Sequence, residues 1–175
     1  TVLMFVVLML LGNDFVDSVC LSFSTISTGG FSPRPDSITS FSEYTQLAVT
    51  VFMFLAGTNI SLLYYLLLCR PRMIWKSEEF RTYLFVILVA SVLLTLMLFG
   101  QGVDVGKSAE YSLFQVVSTI STSGYYISMP QGWMKVIPLF LFMLMFFGAC
   151  SGSTGGGIKM ARIMILFKYV RNQFV

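Results

Sequence analysis

This chain contains no histidine, and only 11% of its residues are charged. Without histidine it lacks the side chain that most often titrates near neutral pH, and the commonest metal ligand. Its cysteines, Cys20, Cys69 and Cys150, are odd in number and far apart, so neither a disulfide framework nor a zinc spacing is present. They are expected to be small packing residues. The formal charge of +3 is small and scattered, which argues against a nucleic-acid partner. No paired carboxylates at membrane depth and no nucleophile–base pair can be assembled, so no enzyme activity is expected. What the chain has in abundance is apolar surface: 56% of its residues are hydrophobic and the mean hydropathy is +0.82. A soluble fold of this length could not bury so much, so the solvent is lipid.

Thr1 opens directly into an apolar run with no basic stretch before it, which predicts no signal peptide. Residues 1–11 are too short to cross a bilayer of about 30 Å. The chain is therefore expected to be a piece of something longer. Two runs, 44–68 and 82–99, are long enough to span as helices, and a third, 134–147, is marginal before a glycine-rich break at 148–157. Helical character resumes over 158–175. The link 69–81 carries Arg70, Arg72, Lys76 and Arg81, and the C-terminal segment carries Lys159, Arg162, Lys168 and Arg171. The opposite loops hold only Arg34, Lys107 and Lys135, so the positive-inside rule makes the link and the C-terminus cytoplasmic. Snorkelling at helix ends is the bland reading of such charges and gives the same topology.

Among these runs lies a polar repeat. Ser24-Thr25-Ile26-Ser27-Thr28-Gly29-Gly30-Phe31 returns as Ser118-Thr119-Ile120-Ser121-Thr122-Ser123-Gly124-Tyr125, a shift of 94 residues from 24 to 118. One such cluster alone would be read as a flexible outer loop. Two, each between a short segment and a span, argue for backbone that faces ions or water. The short segments, about 13–23 and about 107–117, cannot span and are expected to be re-entrant helices. Asp14, Asp17 and Glu110 suit their outer N-termini, and their C-termini favour a cation at the membrane centre. Met53-Phe54-Leu55-Ala56-Gly57 matches Met145-Phe146-Phe147-Gly148-Ala149, so duplication covers the whole unit. The expected fold is an all-α integral membrane protein of parallel repeats: transmembrane helix, re-entrant pore helix, filter loop, transmembrane helix. Unit one covers 1–68 (pore helix about 13–23, filter 24–31, inner span 44–68). Unit two covers 82–175, with span 82–99, pore helix about 107–117, filter 118–125, span 134–147, gate loop 148–157 and helix 158–175.

Extended Ser/Thr/Gly strands can replace a cation's hydration shell with backbone carbonyls. Glycine serves where the carbonyl must turn inward, hydroxyls at Thr28 and Thr122 offer further oxygens, and Phe31 and Tyr125 are expected to brace the strands. The loop at 148–157 cannot continue as an ordinary helix, and irregular backbone at this depth must lie in protein or beside water. Close helix packing through Gly148-x-x-x-Gly152 and Gly152-x-x-x-Gly156 is the competing reading. A phosphate-binding loop ending at Lys159 fails because Ile158 precedes the lysine and no Ser/Thr follows. Lys159 itself is expected to meet a carboxylate or a lipid headgroup, with snorkelling the commoner role. Thr58 and Asn59 are expected to line an inner cavity or bond between helices; Asn59 matches a glycosylation sequon that membrane burial makes unusable. Asp14, Asp17, Asp36, Glu43, Asp104 and Glu110 could concentrate cations at an outer mouth, although most read equally as solvated surface.

These loops, together with Gly148-Ala149-Cys150-Ser151-Gly152-Ser153-Thr154-Gly155-Gly156-Gly157-Ile158-Lys159, closely resemble the TrkH/KtrB family of bacterial potassium uptake subunits, in the Trk/Ktr/HKT superfamily. The resemblance covers essentially the whole chain. It implies a pore of four such units in one polypeptide, of which this chain carries the second and third. It also implies that K+ is the transported ion, and that Thr25, Thr28, Gly29, Gly30, Thr119, Thr122, Ser123 and Gly124 form the filter. The gate loop would comprise Gly148, Cys150, Ser151, Gly152, Ser153, Thr154, Gly155, Gly156, Gly157 and Lys159. It implies no cofactor, a multi-pass location in the bacterial inner membrane, a homodimer of the parent subunit and a cytosolic nucleotide-binding regulator. The link around 75–81 and the C-terminal segment are the expected contact surfaces. A sodium- or proton-coupled secondary transporter is the first rival, against which the repeats are parallel rather than inverted. A non-conducting membrane scaffold is the second.

Overall fold

The computed structural model describes residues 1–67, 75, 77–127 and 136–173. Its described elements are helices: α1 Val2–Leu10, α2 Phe15–Ile26, α3 Glu43–Ala56, α4 Ile60–Leu67, α5 Glu78–Phe99, α6 Val105–Ile120, α7 Val136–Leu144 and α8 Met160–Gln173. Among the described residues the one extended pairing is an isolated parallel bridge between Phe147 and Ile158. The expectations for Cys69, Arg70, Arg72, Lys76 and Lys135, and for the start of a span at 134, lie outside the described residues.

α5 is long and apolar enough to cross a membrane. Its 22 residues rise about 33 Å at 1.5 Å each. It starts four residues before the expected 82 because Ser77 caps it, Oγ accepting from Phe80 N at 3.4 Å. Glu78 and Glu79 in its first turn suit the positive end of the helix dipole. Tyr83, Ile87, Ala90, Ser91, Leu94 and Leu98 recur at three- and four-residue spacing and form its buried stripe. Leu88, Val92 and Leu96 lie exposed on another face, as a lipid-facing helix requires.

The two re-entrant candidates are longer than expected. α2 runs through Ile26 and α6 from Val105 to Ile120, so the first three residues of each repeated octapeptide form a last helical turn. At 12 and 16 residues they rise only about 18 and 24 Å, short of a bilayer core. Asp104 caps α6 by accepting from Gly106 N at 3.2 Å. α1, α2 and α3 pack on one another, while α6 packs against α5, α3 and α7, so the two units join through α3 and α6.

The expected continuous span 44–68 is interrupted: α3 ends at Ala56 and α4 begins at Ile60. At Gly57 a Cβ would stand 2.3 Å from Tyr83 Oη, so α5 occupies the space a side chain would need. Backbone groups freed by the break bond elsewhere: Cys150 N donates to Gly57 O at 3.0 Å, and Ile60 N to Gly152 O at 3.3 Å. Breaks at membrane depth persist where such partners exist. Thr58 is buried with its hydroxyl on Leu55 O at 2.6 Å, and Asn59 Oδ1 caps Ser61 N at 2.8 Å. Among the described residues neither side chain bonds between helices; both finish the broken ends of their own.

Candidate functional site

Each repeated octapeptide ends its helix and turns back in the same way. Thr28 N donates to Thr25 O (3.2 Å) and Gly29 N to Ser24 O (2.8 Å). In the second copy Thr122 N donates to Thr119 O (3.2 Å) and Ser123 N to Ser118 O (3.0 Å). This pair of bonds defines a Schellman cap, whose left-handed position normally holds glycine. Here it holds threonine, with φ of 54° at Thr28 and 58° at Thr122. A β-branched residue in that region is strained by about 1–3 kcal/mol. Gly30 and Gly124 then turn with φ of 71° and 83°, which glycine does without penalty. Gly29 is not left-handed, and its counterpart in the repeat is Ser123, where a side chain is tolerated.

Two serines close these turns. Ser24 Oγ accepts from Phe31 N at 2.7 Å, and Ser118 Oγ donates to Tyr125 O at 2.6 Å. Neither serine is among the filter residues expected from the sequence. The signal was the same seven-residue interval from serine to aromatic in both copies.

The copies meet backbone to backbone. A Cβ at Gly30 would fall 2.1 Å from Ser123 O, a contact only glycine permits. Tyr125 is buried and crosses to the first copy: its Oη donates to Phe31 O at 3.3 Å and accepts from Thr25 Oγ1 at 3.4 Å. The turns that follow α2 and α6 therefore meet, which brings the partly negative C-terminal ends of both helices to one junction. Phe31, expected to brace its strand, is instead 80% exposed. The strut runs from the second copy to the first, and on the first it meets the Phe31 carbonyl rather than its ring.

The junction gathers Thr28, Gly30, Thr122 and Ser123, with Gly29 packed against the Phe31 ring and Gly124 facing open space. Thr25 and Thr119 sit instead in the last helical turns. The Thr25 hydroxyl is tied to Tyr125, and Thr119 Oγ1 donates to Gln115 O at 2.7 Å. Among the described residues no group of three metal-ligating side chains converges. The oxygens at the junction are neutral carbonyls and hydroxyls, the set suited to a monovalent cation.

The segment 148–157 lies against both turns and is not helical. Its ends are pinned by the Phe147–Ile158 bridge and by Gly148 N donating to Ile158 O at 2.9 Å, making a compact loop of the Ω type. A Cβ at Gly148 would be 2.6 Å from Gly156 O, so backbone packing selects glycine here, not contact between helices. The Thr28 hydroxyl reaches both Ser27 O (2.7 Å) and Thr154 O (3.1 Å), and Gly156 N donates to Thr122 Oγ1 at 2.7 Å. The two strained threonines thus fasten the loop to the two turns. Gly155 lies so close that a Cβ would be 2.8 Å from Ser121 O. On the loop's other side Thr154 Oγ1 donates to Ala56 O at 3.3 Å, and Ser151 N donates to the Glu79 carboxylate. Cys150 is buried as a packing residue, whereas Cys20 is exposed.

Among the described residues Lys159 pairs with no carboxylate. Its ammonium turns back to Gly155 O, to Ser153 O at 3.5 Å and to Ser153 Oγ at 3.4 Å. Asp17, assigned to an acidic mouth, is mostly buried and bound to Arg34 at 2.7 Å. The Arg34 guanidinium also lies 4.1 Å from the centre of the Phe41 ring. That carboxylate is therefore neutralised locally and braces the loop after the first turn.

Residues 7–175 match the family model described as "TrkH: Cation transport protein". The chain is similar to the Trk system potassium uptake protein TrkH of Escherichia coli K12, at 35% identity over 161 residues, 90% of this chain and 33% of that protein. It is also similar to TrkG of the same organism, at 31% identity over 94% of this chain and 34% of the relative. A crystal structure of the potassium transporter TrkH from Vibrio parahaemolyticus superposes with a TM-score of 0.92 at 30% identity, covering 99% of this chain and 38% of that one. The chain thus spans about a third of the length of the curated relatives it matches.

Proposed function

Because this chain belongs to the TrkH family of cation transport proteins, we propose that it forms two walls of a potassium pathway and the loop that closes it. The observation that carries this reading is the pair of threonine–glycine turns. They share left-handed backbone at equivalent positions and meet at Gly30 and Ser123. Carbonyls of Thr28 to Gly30 and of Thr122 to Gly124 would replace part of the hydration shell of K+, and the converging helix C-termini would favour its charge. The relatives named as potassium uptake proteins span three times this length, so the remaining walls would come from further units of the natural chain.

The loop 148–157 acts as the gate in this reading. It bonds to both turns, and moving it aside would expose them from the loop side. With the basic link and α8 facing the cytoplasm of a bacterial inner membrane, inward K+ movement gains about 2.3 kcal/mol per 100 mV of interior-negative potential. The relatives are components of a "Trk system", which supports action with other subunits. A homodimer of the natural chain and a nucleotide-binding regulator on the cytoplasmic side are the partners we assign. The link around 75–81 and α8 would be the regulator's contact surface.

Rubidium uptake by the natural full-length chain, with and without Gly124→Ser, tests the filter. A Cβ at Gly124 meets nothing within 4 Å in these two units, so within them the substitution acts through φ of 83°. Strain of about 1–3 kcal/mol at this turn should lower uptake or the rubidium/sodium ratio. Unchanged uptake with an unchanged ratio would remove Gly124 from the pathway.

A further inference from the structure

The loop already holds a monovalent cation, and it is part of the chain. The Lys159 ammonium has three donors and no acceptor, and all the contacts described for it are loop oxygens: Gly155 O, Ser153 O and Ser153 Oγ. Charged side chains within membrane proteins pair with one another or with backbone carbonyls, and here carbonyls are the partners. The site lies directly against the candidate filter, because Gly155 packs on Ser121 O and its neighbour Gly156 bonds to Thr122 Oγ1. An ammonium and a dehydrated potassium ion are similar in charge and size, and oxygens that suit one suit the other.

We propose that Ser153 and Gly155 form a cation site at the inner end of the pathway, occupied by Lys159 when the loop is closed and open to a free monovalent cation when the lysine leaves. This inference rests on the pathway reading above and assigns a ligand class to its gate. Lys159 then acts as a tethered competitor. Its charge repels an ion leaving the filter, and its hydrogen bonds keep Ser153 and Gly155 in the folded loop. A cation arriving from the loop side competes for the same oxygens, so the loop's opening responds to the ion it controls. Lys159 lies two residues after the loop, four beyond Gly155 and before α8 begins at Met160, so the exchange needs only rotation about its side-chain bonds and no refolding of α8.

The test is rubidium flux through the natural full-length chain in vesicles, with potassium varied on the loop side. For the wild type, flux should rise with loop-side potassium beyond what its driving force explains. Lys159→Met should raise flux at low loop-side potassium by about tenfold, equivalent to about 1.4 kcal/mol, and remove that dependence. Ser153→Ala deletes one of the three oxygens without touching the charge and should shift the dependence to higher potassium. Thermal unfolding supplies a readout independent of flux: Lys159→Met should gain a potassium-dependent rise in Tm beyond that of the wild type. A folded Lys159→Met protein that keeps both the wild-type flux and its dependence overturns the inference while leaving the pathway intact. Wild-type vesicles that carry no rubidium at all overturn the pathway reading, and this one with it.

Discussion

Thr28 and Thr122 carry the most unusual backbone in the site, and no propensity scale would place them there. Threonine is disfavoured at a left-handed cap by its branched Cβ, yet the same residue holds that cap in both copies. The hydroxyl explains the choice, since each one reaches the loop. Hydroxyl and branching can be separated by substitution. Thr122→Ser keeps the oxygen and sheds the branch, so stability should hold or rise. Thr122→Val keeps the branch and deprives Gly156 N of its acceptor, which should cost about 0.5–1.5 kcal/mol at this solvent-accessible bond. Thermal unfolding of the purified chain in detergent distinguishes them, and equal Tm values would disprove the fastening role. The sequence reading found these threonines through the repeat but expected their oxygens to face an ion. It had no means of foreseeing that two hydroxyls are engaged by a segment 126 and 34 residues away.

Among elements, α5 was legible and the break between α3 and α4 was not. α5 announces itself as one apolar run with a serine cap and two leading glutamates. The run 44–68 looks equally continuous, because Gly57, Thr58 and Asn59 are all tolerated inside membrane helices. What breaks the helix is tertiary: the Tyr83 hydroxyl from α5 and backbone partners from the loop after α7. Gly57→Ala should therefore destabilise the protein, and Tyr83→Phe should rescue it by removing the atom 2.3 Å from the new methyl. The double variant should be more stable than the sum of the single effects by about 0.5–3 kcal/mol, the usual range for residues in contact. Strict additivity in Tm measurements would mean that another contact holds the break open. The lengths of α2 and α6 were underestimated because Ser-Thr-Ile reads as loop, whereas Ser24–Ile26 and Ser118–Ile120 complete a capped helical turn.

On the scale of the whole molecule, two adjacent carboxylates at the start of α5 connect parts far apart in sequence. Glu78 meets Lys168 of α8 at 2.5 Å, and Glu79 accepts from Ser151 N in the loop. Both members of the first pair are largely exposed, so the pair is screened and contributes little. Glu79 serves a backbone donor within the loop and matters more. Glu79→Leu, which removes the acceptor, should raise basal rubidium flux by loosening the loop, whereas Glu78→Leu should leave it unchanged. Equal effects from the two would show that α8, not Ser151, transmits the change. The duplication of the unit was readable from an offset of 94 residues in the octapeptide and of 92 from Met53 to Met145. The contact between the units was not, since nothing in the octapeptide says which copy reaches toward which.

That contact gives the pair a handedness of assembly. The later tyrosine spends its hydroxyl on the earlier copy, and the equivalent phenylalanine has a bare ring and no hydroxyl to offer. A seam of this kind is heterologous, joining unlike faces as bricks do in an arch rather than as palms do in a handshake. Two bricks make an arc with dissimilar ends, and closure demands successors laid in the same rotational sense.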